Sequence, residues 1–151
     1  MLVLFGILLF GGSTGNSPVV DSIARSQEII RISSSLGTQQ GIDTNTKDLA
    51  VTVKASLSSQ QQQLIAYLKS KGTKIDPAKE VIYKNSSTDA QISSATQNND
   101  LLVFYKSYLK TNLPLYESAL QKAYASADSK DKPILSNAYT SSQTILSSIG
   151  S

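Results

Sequence analysis

Apolar residues recur along this chain at steps of three and four, the spacing that puts one residue per turn on the same side of a helix. The clearest run lies between Thr46 and Gly72, where Ala50, Val53, Leu57, Gln60, Leu64 and Tyr67 form one stripe. Lys69 and Lys71 fall in its last turn and suit the negative end of the helix dipole. Gly72 follows, a residue free to take the left-handed C-cap conformation. A helix apolar on one side and rich in Ser and Gln on the other needs partners to cover the stripe. Earlier in the chain, Ser17 and Pro18 open a helix as N-cap and first helical residue. Val20, Ile23, Ala24, Gln27, Ile30 and Ser34 line one side of it until Gly37. Further on, Leu101, Tyr105, Tyr108, Leu115, Ala119 and Ala123 share a side, widened by Leu102, Leu109, Tyr116 and Leu120. Pro114 sits inside that pattern and is expected to kink or split the helix. Ile134, Leu135, Ala138, Ser142, Ile145 and Ile149 make the last stripe.

These stripes predict four long helices, near residues 18–37, 46–71, 99–126 and 132–149. Short connections within the first pair and within the last pair favour antiparallel neighbours. Between the pairs lies the long segment Gly72 to Asn98. Asp76-Pro77 starts a short helix there, running to Lys84, and Asn85 to Ser87 break it. Thr88 to Gln97 is a second short piece around Ala90, Ile92 and Ala95. The expected fold class is therefore all-α: a four-helix bundle with a ferritin-like connection, in which a long crossover containing short helices joins helices two and three. No period-two strand pattern competes beyond the first dozen residues.

Residues 1–12, MLVLFGILLFGG, carry no side-chain charge. The run is shorter than the roughly 20 apolar residues a spanning helix takes, and no basic region precedes it within the sequence. It is read as an anchor or signal-type segment. Two forms stay open: a short signal-type core with an atypical start, or the inner part of a longer anchor. The second is favoured because no small-x-small cleavage site follows cleanly. Residues 13–17 then act as a linker, and residues 18–151 form the helical domain.

Composition removes several chemistries. The 151 residues include no Cys and no His, which excludes disulfides, thiolate metal sites and the usual general base. Net charge is +3, but the lysines are scattered. The densest group, Lys69, Lys71, Lys74 and Lys79, reads as a solvated helix end rather than a nucleic-acid stripe. No nucleic-acid partner is expected. GGSTG lacks the Lys of a phosphate loop, and no Ser has a His or Ser-x-x-Lys partner to activate it. Tyr105, Tyr108, Tyr116, Tyr124 and Tyr139 are read as core and boundary residues whose hydroxyls reach solvent or a carbonyl. Gln60 to Gln63 are read as a wet helix face with Gln60 turned inward.

The segment from Ser26 to Ile149 resembles a ferritin-like four-helix domain of unknown function common in bacterial envelopes. QEIIRIS, a turn, and a long helix ending LIAYLKSKGTKID carry the first half of the likeness, and FYKSYLKTNLPLYESALQKAY the second. The resemblance implies a fold and an envelope location. It also implies His near Leu57, at Tyr116 beside Glu117, and near Ser142, and none is present. A di-iron bundle needs four carboxylates, two of them within Glu-x-x-His pairs on two of the helices. The glutamates are only Glu28, Glu80 and Glu117, with Glu80 in the crossover. Glu28 is read as a surface partner of Arg25 or Arg31, and Glu117 as a solvated residue near Lys110 or Gln121. Asp43, Asp76, Asp100 and Asp131 fit helix caps and turns. No catalytic, cofactor or metal residue is assigned.

The expected function is a non-catalytic, membrane-tethered, extracytoplasmic helical module that binds an envelope protein or polymer as a monomer. The alternative is a degenerate ferritin-like metal-binding protein or oxidoreductase. Secretion replaces tethering if the first segment is cleaved.

Overall fold

The computed structural model describes residues 17–150. Those residues form six helices and no strand. The expected anchor and all of the linker but Ser17 lie outside them.

The four long helices are α1 (Ser17–Thr38), α2 (Thr44–Ser70), α5 (Leu101–Ser126) and α6 (Lys132–Gly150). The segment between α2 and α5 carries α3 (Pro77–Glu80) and α4 (Ser86–Gln97). Local chemistry sets several of these ends. Asp43 caps α2 by accepting the Thr46 hydroxyl at 2.5 Å and the Thr46 backbone N–H at 2.8 Å, and these bonds, the hydroxyl's first, hold its carboxyl below the ordinary aspartate value. At the other end Gly72 has φ +71, and the Thr73 N–H reaches Leu68 O while the Gly72 N–H reaches Lys69 O. That pair of bonds satisfies two carbonyls the helix leaves open. Asp76 caps α3 through the Ala78 N–H, and Asn85 caps α4 through the Ser87 N–H. Asn85 to Ser87 thus start a helix as well as ending the preceding turn. Asn99 does not begin the next long helix: at φ 58 it closes α4 as Gly72 closes α2. Asp100 stands at the N-cap position of α5 without a side-chain cap bond.

α1 packs on α2 and α5, and α6 packs on the same two helices from the other side. Three contacts give their directions. Ser33, late in α1, meets Tyr105, early in α5, at 2.6 Å, so these helices run antiparallel. Lys71, just past α2, lies 3.0 Å from Asp128 and 2.7 Å from Asp131 in the α5–α6 turn. α2 and α5 therefore finish at the same end, and residues 71–100 travel back along the helices to start α5. Those two carboxylates push the Lys71 ammonium above its ordinary value, and Lys71 in turn lowers Asp128.

The interior between the long helices holds Ile23, Leu57, Leu64, Leu109, Tyr105 and Tyr116, each essentially without exposed surface. The α2 stripe is buried as expected except Gln60, which is half-buried. The α6 stripe is buried too, with Ile134 half-buried. The α1 stripe needs correction: its buried centre is Val19, Ile23, Ser26, Ile29, Ile32 and Leu36, while Val20, Gln27, Ile30 and Ser34 are half-buried. On α5, Leu115 is 47% exposed and Leu113 is the core residue instead. Pro114 does not split α5; the helix runs through it. Pro114 lies on the exposed side, where water can serve the carbonyl that loses its partner.

Candidate functional site

The connecting segment is fastened to α1 by two polar networks. In the first, Arg25 donates from Nε to Asp21 at 2.9 Å and from Nη2 to the Tyr83 hydroxyl at 3.0 Å. Tyr83 donates to the other oxygen of Asp21 and lies under the Arg25 guanidinium, 4.2 Å from its centre. The Asp21 carboxylate and partial burial raise the Tyr83 hydroxyl above its ordinary value. In the second, Arg31 grips Glu28 with two bonds of 2.8 Å and reaches Asp89 of α4 with a third, also 2.8 Å. Glu28 also accepts the Asn85 N–H at 3.3 Å. Glu28 above all, and Asp89 with it, hold Arg31 well above its ordinary value against the opposing effect of burial. Glu28 is thus no surface residue. It is 8% exposed, its partner is Arg31 rather than Arg25, and it ties α1 to the cap of α4.

Held this way, the segment packs on α5 through Ile92 and Ala95 of α4 and leaves beside that contact a cleft of about 540 Å³. Phe104, Tyr108 and Leu115 of α5 line it on one side, Tyr83 and Thr88 on another, and Arg25 and Glu28 on the α1 side. A second hollow of about 550 Å³ between α4 and α5 shares Gln91, Phe104 and Ser107 with the first. Together they make one groove along α5 from Val103 to Leu115, twelve residue steps or about 18 Å of helix. The Phe104 and Tyr108 rings stack along its wall, 6.4 Å between centres. The Tyr108 hydroxyl is buried without a hydrogen-bond partner, and desolvation, then the nearby Glu28 charge, push it upward.

Glu117 also departs from expectation. It is 7% exposed rather than solvated, and it accepts from Ser142 Oγ at 2.7 Å and Gln143 Nε2 at 2.6 Å. It joins the middles of α5 and α6. Tyr105 and Tyr116 are fully buried, Tyr108 and Tyr139 half-buried, and Tyr124 42% exposed. The Tyr105 hydroxyl reaches Ser33, whereas Tyr116, like Tyr108, reaches neither solvent nor carbonyl. Gln60 turns its Oε1 inward without a partner, and Gln61 bonds Ile23 O, Ser26 and Gln27 on α1, so that face is only partly wet. Asp43 and Asp76 cap helices; Asp131 is instead a buried partner of Lys71.

Among the described residues no three His, Cys, Asp or Glu side chains lie together as a metal site. Both carboxylates considered for one are engaged by protein groups. No helix among these residues is long and apolar enough to cross a membrane; residues 1–12 lie outside them. No family model, curated protein or solved structure matches the chain. The groove was not foreseen from the sequence. Its one local trace is the Asp21–Arg25 and Glu28–Arg31 spacing on α1; Tyr83, Asn85 and Asp89 stand more than fifty residues away.

Proposed function

We propose that this chain is a ferritin-like four-helix bundle, tethered to a membrane by its apolar first segment, that binds a partner outside the cytoplasm without catalysing a reaction. The order of packing, with α2 and α5 finishing at one end and a long segment returning between them, supports that connection. The observation that carries the binding reading is the groove: a built surface, fixed by two ion-pair networks, with polar side chains facing open space. The locking of Glu28 by Arg31 and the lack of His and Cys in the sequence support the non-catalytic part of this reading. The metal-protein alternative draws on helix connection alone.

Fractionation of cells expressing the full-length chain tests the tether. The protein should sediment with membranes and be cleaved by protease added to intact spheroplasts. Recovery in the soluble, protease-protected fraction would end this reading.

A further inference from the structure

We infer that the groove between α4 and α5 takes a neutral polysaccharide chain. This rests on the binding-module reading above and names its ligand class.

Charge decides first. The charged residues lining the groove are Arg25, Glu28 and Asp100. Arg25 is already paired with Asp21, and Glu28 with Arg31. No uncommitted cation is among those lining residues, so phosphate-rich polymers and anionic headgroups lack the counter-charge on which their binding depends. Asp100, which lines only the second hollow and makes no side-chain cap bond, disfavours anions further, and one carboxylate gives a polycation no repeated partner; the ligand is neutral.

The polar groups decide next. The Thr88 and Ser107 hydroxyls and the Gln91 amide face the groove and carry no side-chain hydrogen bond among the described residues. Asn85 uses its carbonyl oxygen to cap α4, which leaves its NH₂ free. Asn112 donates to Tyr108 O, which leaves its carbonyl oxygen free. These are alternating donors and acceptors without charge, the complement of sugar hydroxyls, each of which both gives and takes a hydrogen bond. The stacked Phe104 and Tyr108 rings add the third element, flat apolar surface beside polar partners. A pyranose presents the same pairing, C–H faces edged by hydroxyls.

Shape decides last. A groove about 18 Å long, open along its side, fits a run of linked rings better than one sugar. An extended peptide gains most of its affinity from a free strand edge, and a helical one from a continuous apolar channel. The described residues contain no strand, and this groove alternates apolar with polar side chains.

The test is co-sedimentation of the full-length protein, in mild detergent, with cellulose and with chitin. Competition uses the soluble tetramers of glucose and N-acetylglucosamine; polygalacturonate and a neutral peptide pool serve as comparison ligands. The protein should pellet with at least one neutral polymer and be released by its tetramer. Ser107→Trp, at an exposed helical position in the middle of the groove, should weaken binding at least about tenfold, since a filled groove loses several contacts together. Gln91→Ala should weaken it about two- to tenfold, the worth of one hydrogen bond. Both variants should melt with the parent protein by circular dichroism. No pelleting with either neutral polymer, pelleting that survives Ser107→Trp, or preference for polygalacturonate or peptide overturns the inference. Fractionation reads the tether separately. A membrane-bound chain that ignores both polymers loses its proposed ligand and keeps its location, while a soluble chain that binds them does the reverse.

Discussion

Tyr105 and Tyr116 are both fully buried on α5, yet their hydroxyls are in different situations. Ser33 gives its own proton to Ile29 O at 2.7 Å, so Tyr105 must be the donor in the 2.6 Å contact between them. Tyr116 has no partner. Removing a hydroxyl that makes a hydrogen bond costs about 1 kcal/mol, whereas removing one that is buried and unpaired relieves a desolvation penalty. Tyr105→Phe is therefore expected to lower stability by about 1 kcal/mol, and Tyr116→Phe to leave it unchanged or raise it. Urea denaturation of the two variants beside the parent protein measures the difference. Equal losses would mean that the Tyr116 hydroxyl has a partner in solution. Glu117, next along the helix, is the opposite case: it is buried with a partner for each oxygen, Ser142 Oγ donating to one and Gln143 Nε2 to the other. Its spacing on α5 suggested solvent, since the two groups that engage it come from α6, about 25 residues on.

Helix ends were more legible than helix faces, and the reason is local chemistry. Gly72 as the left-handed residue after α2, and Asp76 and Pro77 at the start of α3, were readable because each cap involves residues within a few positions of one another. Gly72→Ala should cost about 1–2 kcal/mol, the strain of a side chain in that backbone region, because nothing crowds the position itself. A chemical-denaturation midpoint within error of the parent's would mean that α2 ends differently. The α2 and α6 stripes were legible because each helix leaves a broad face to solvent. α1 was not, because α2, α5 and α3 cover it from several directions. Three of its buried positions are also serines, Ser22, Ser26 and Ser33, which read as polar. Each returns its proton to a carbonyl three or four residues earlier, so it enters the core already satisfied. The groove was illegible for a related reason. Its walls come from α1, α5 and the connecting segment, and the bonds that fix them span 57 to 62 residues.

Across the whole molecule the tyrosines set the response to alkali. Burial raises the hydroxyls of Tyr105, Tyr108 and Tyr116 above the ordinary value of 10.0. Tyr67 moves the same way, mainly through burial, and Tyr83 mainly through its bond to Asp21. The sign follows from proton counting. Below about pH 10 these groups are protonated in both the folded and unfolded chain, and their contribution is fully present. Above it the unfolded chain releases protons that the folded chain keeps, so stability falls as pH rises towards the folded values. Each strongly buried tyrosine contributes at most about 1.4 kcal/mol per pH unit in that window. The three together remove at most about 4 kcal/mol per unit, less because Tyr108 is only half-buried, against the roughly 5–15 kcal/mol that holds a domain folded. Lys71, raised by Asp131 and Asp128, has the same sign above 10.5. On the acid side Asp43 and Asp128 are lowered, so their contributions are lost as pH falls below 3.8, and both are exposed enough for that edge to be shallow. The urea midpoint is therefore expected to drop steeply above about pH 10 and only gently below about pH 4. Tyr116→Phe should flatten the alkaline limb by at most about a third, because that variant releases one proton fewer from its unfolded chain while Tyr67, Tyr83 and Lys71 still contribute. A midpoint that stays level through about pH 11.5 would show that these hydroxyls meet water in the folded protein, and that the interior between α1, α2, α5 and α6 is open.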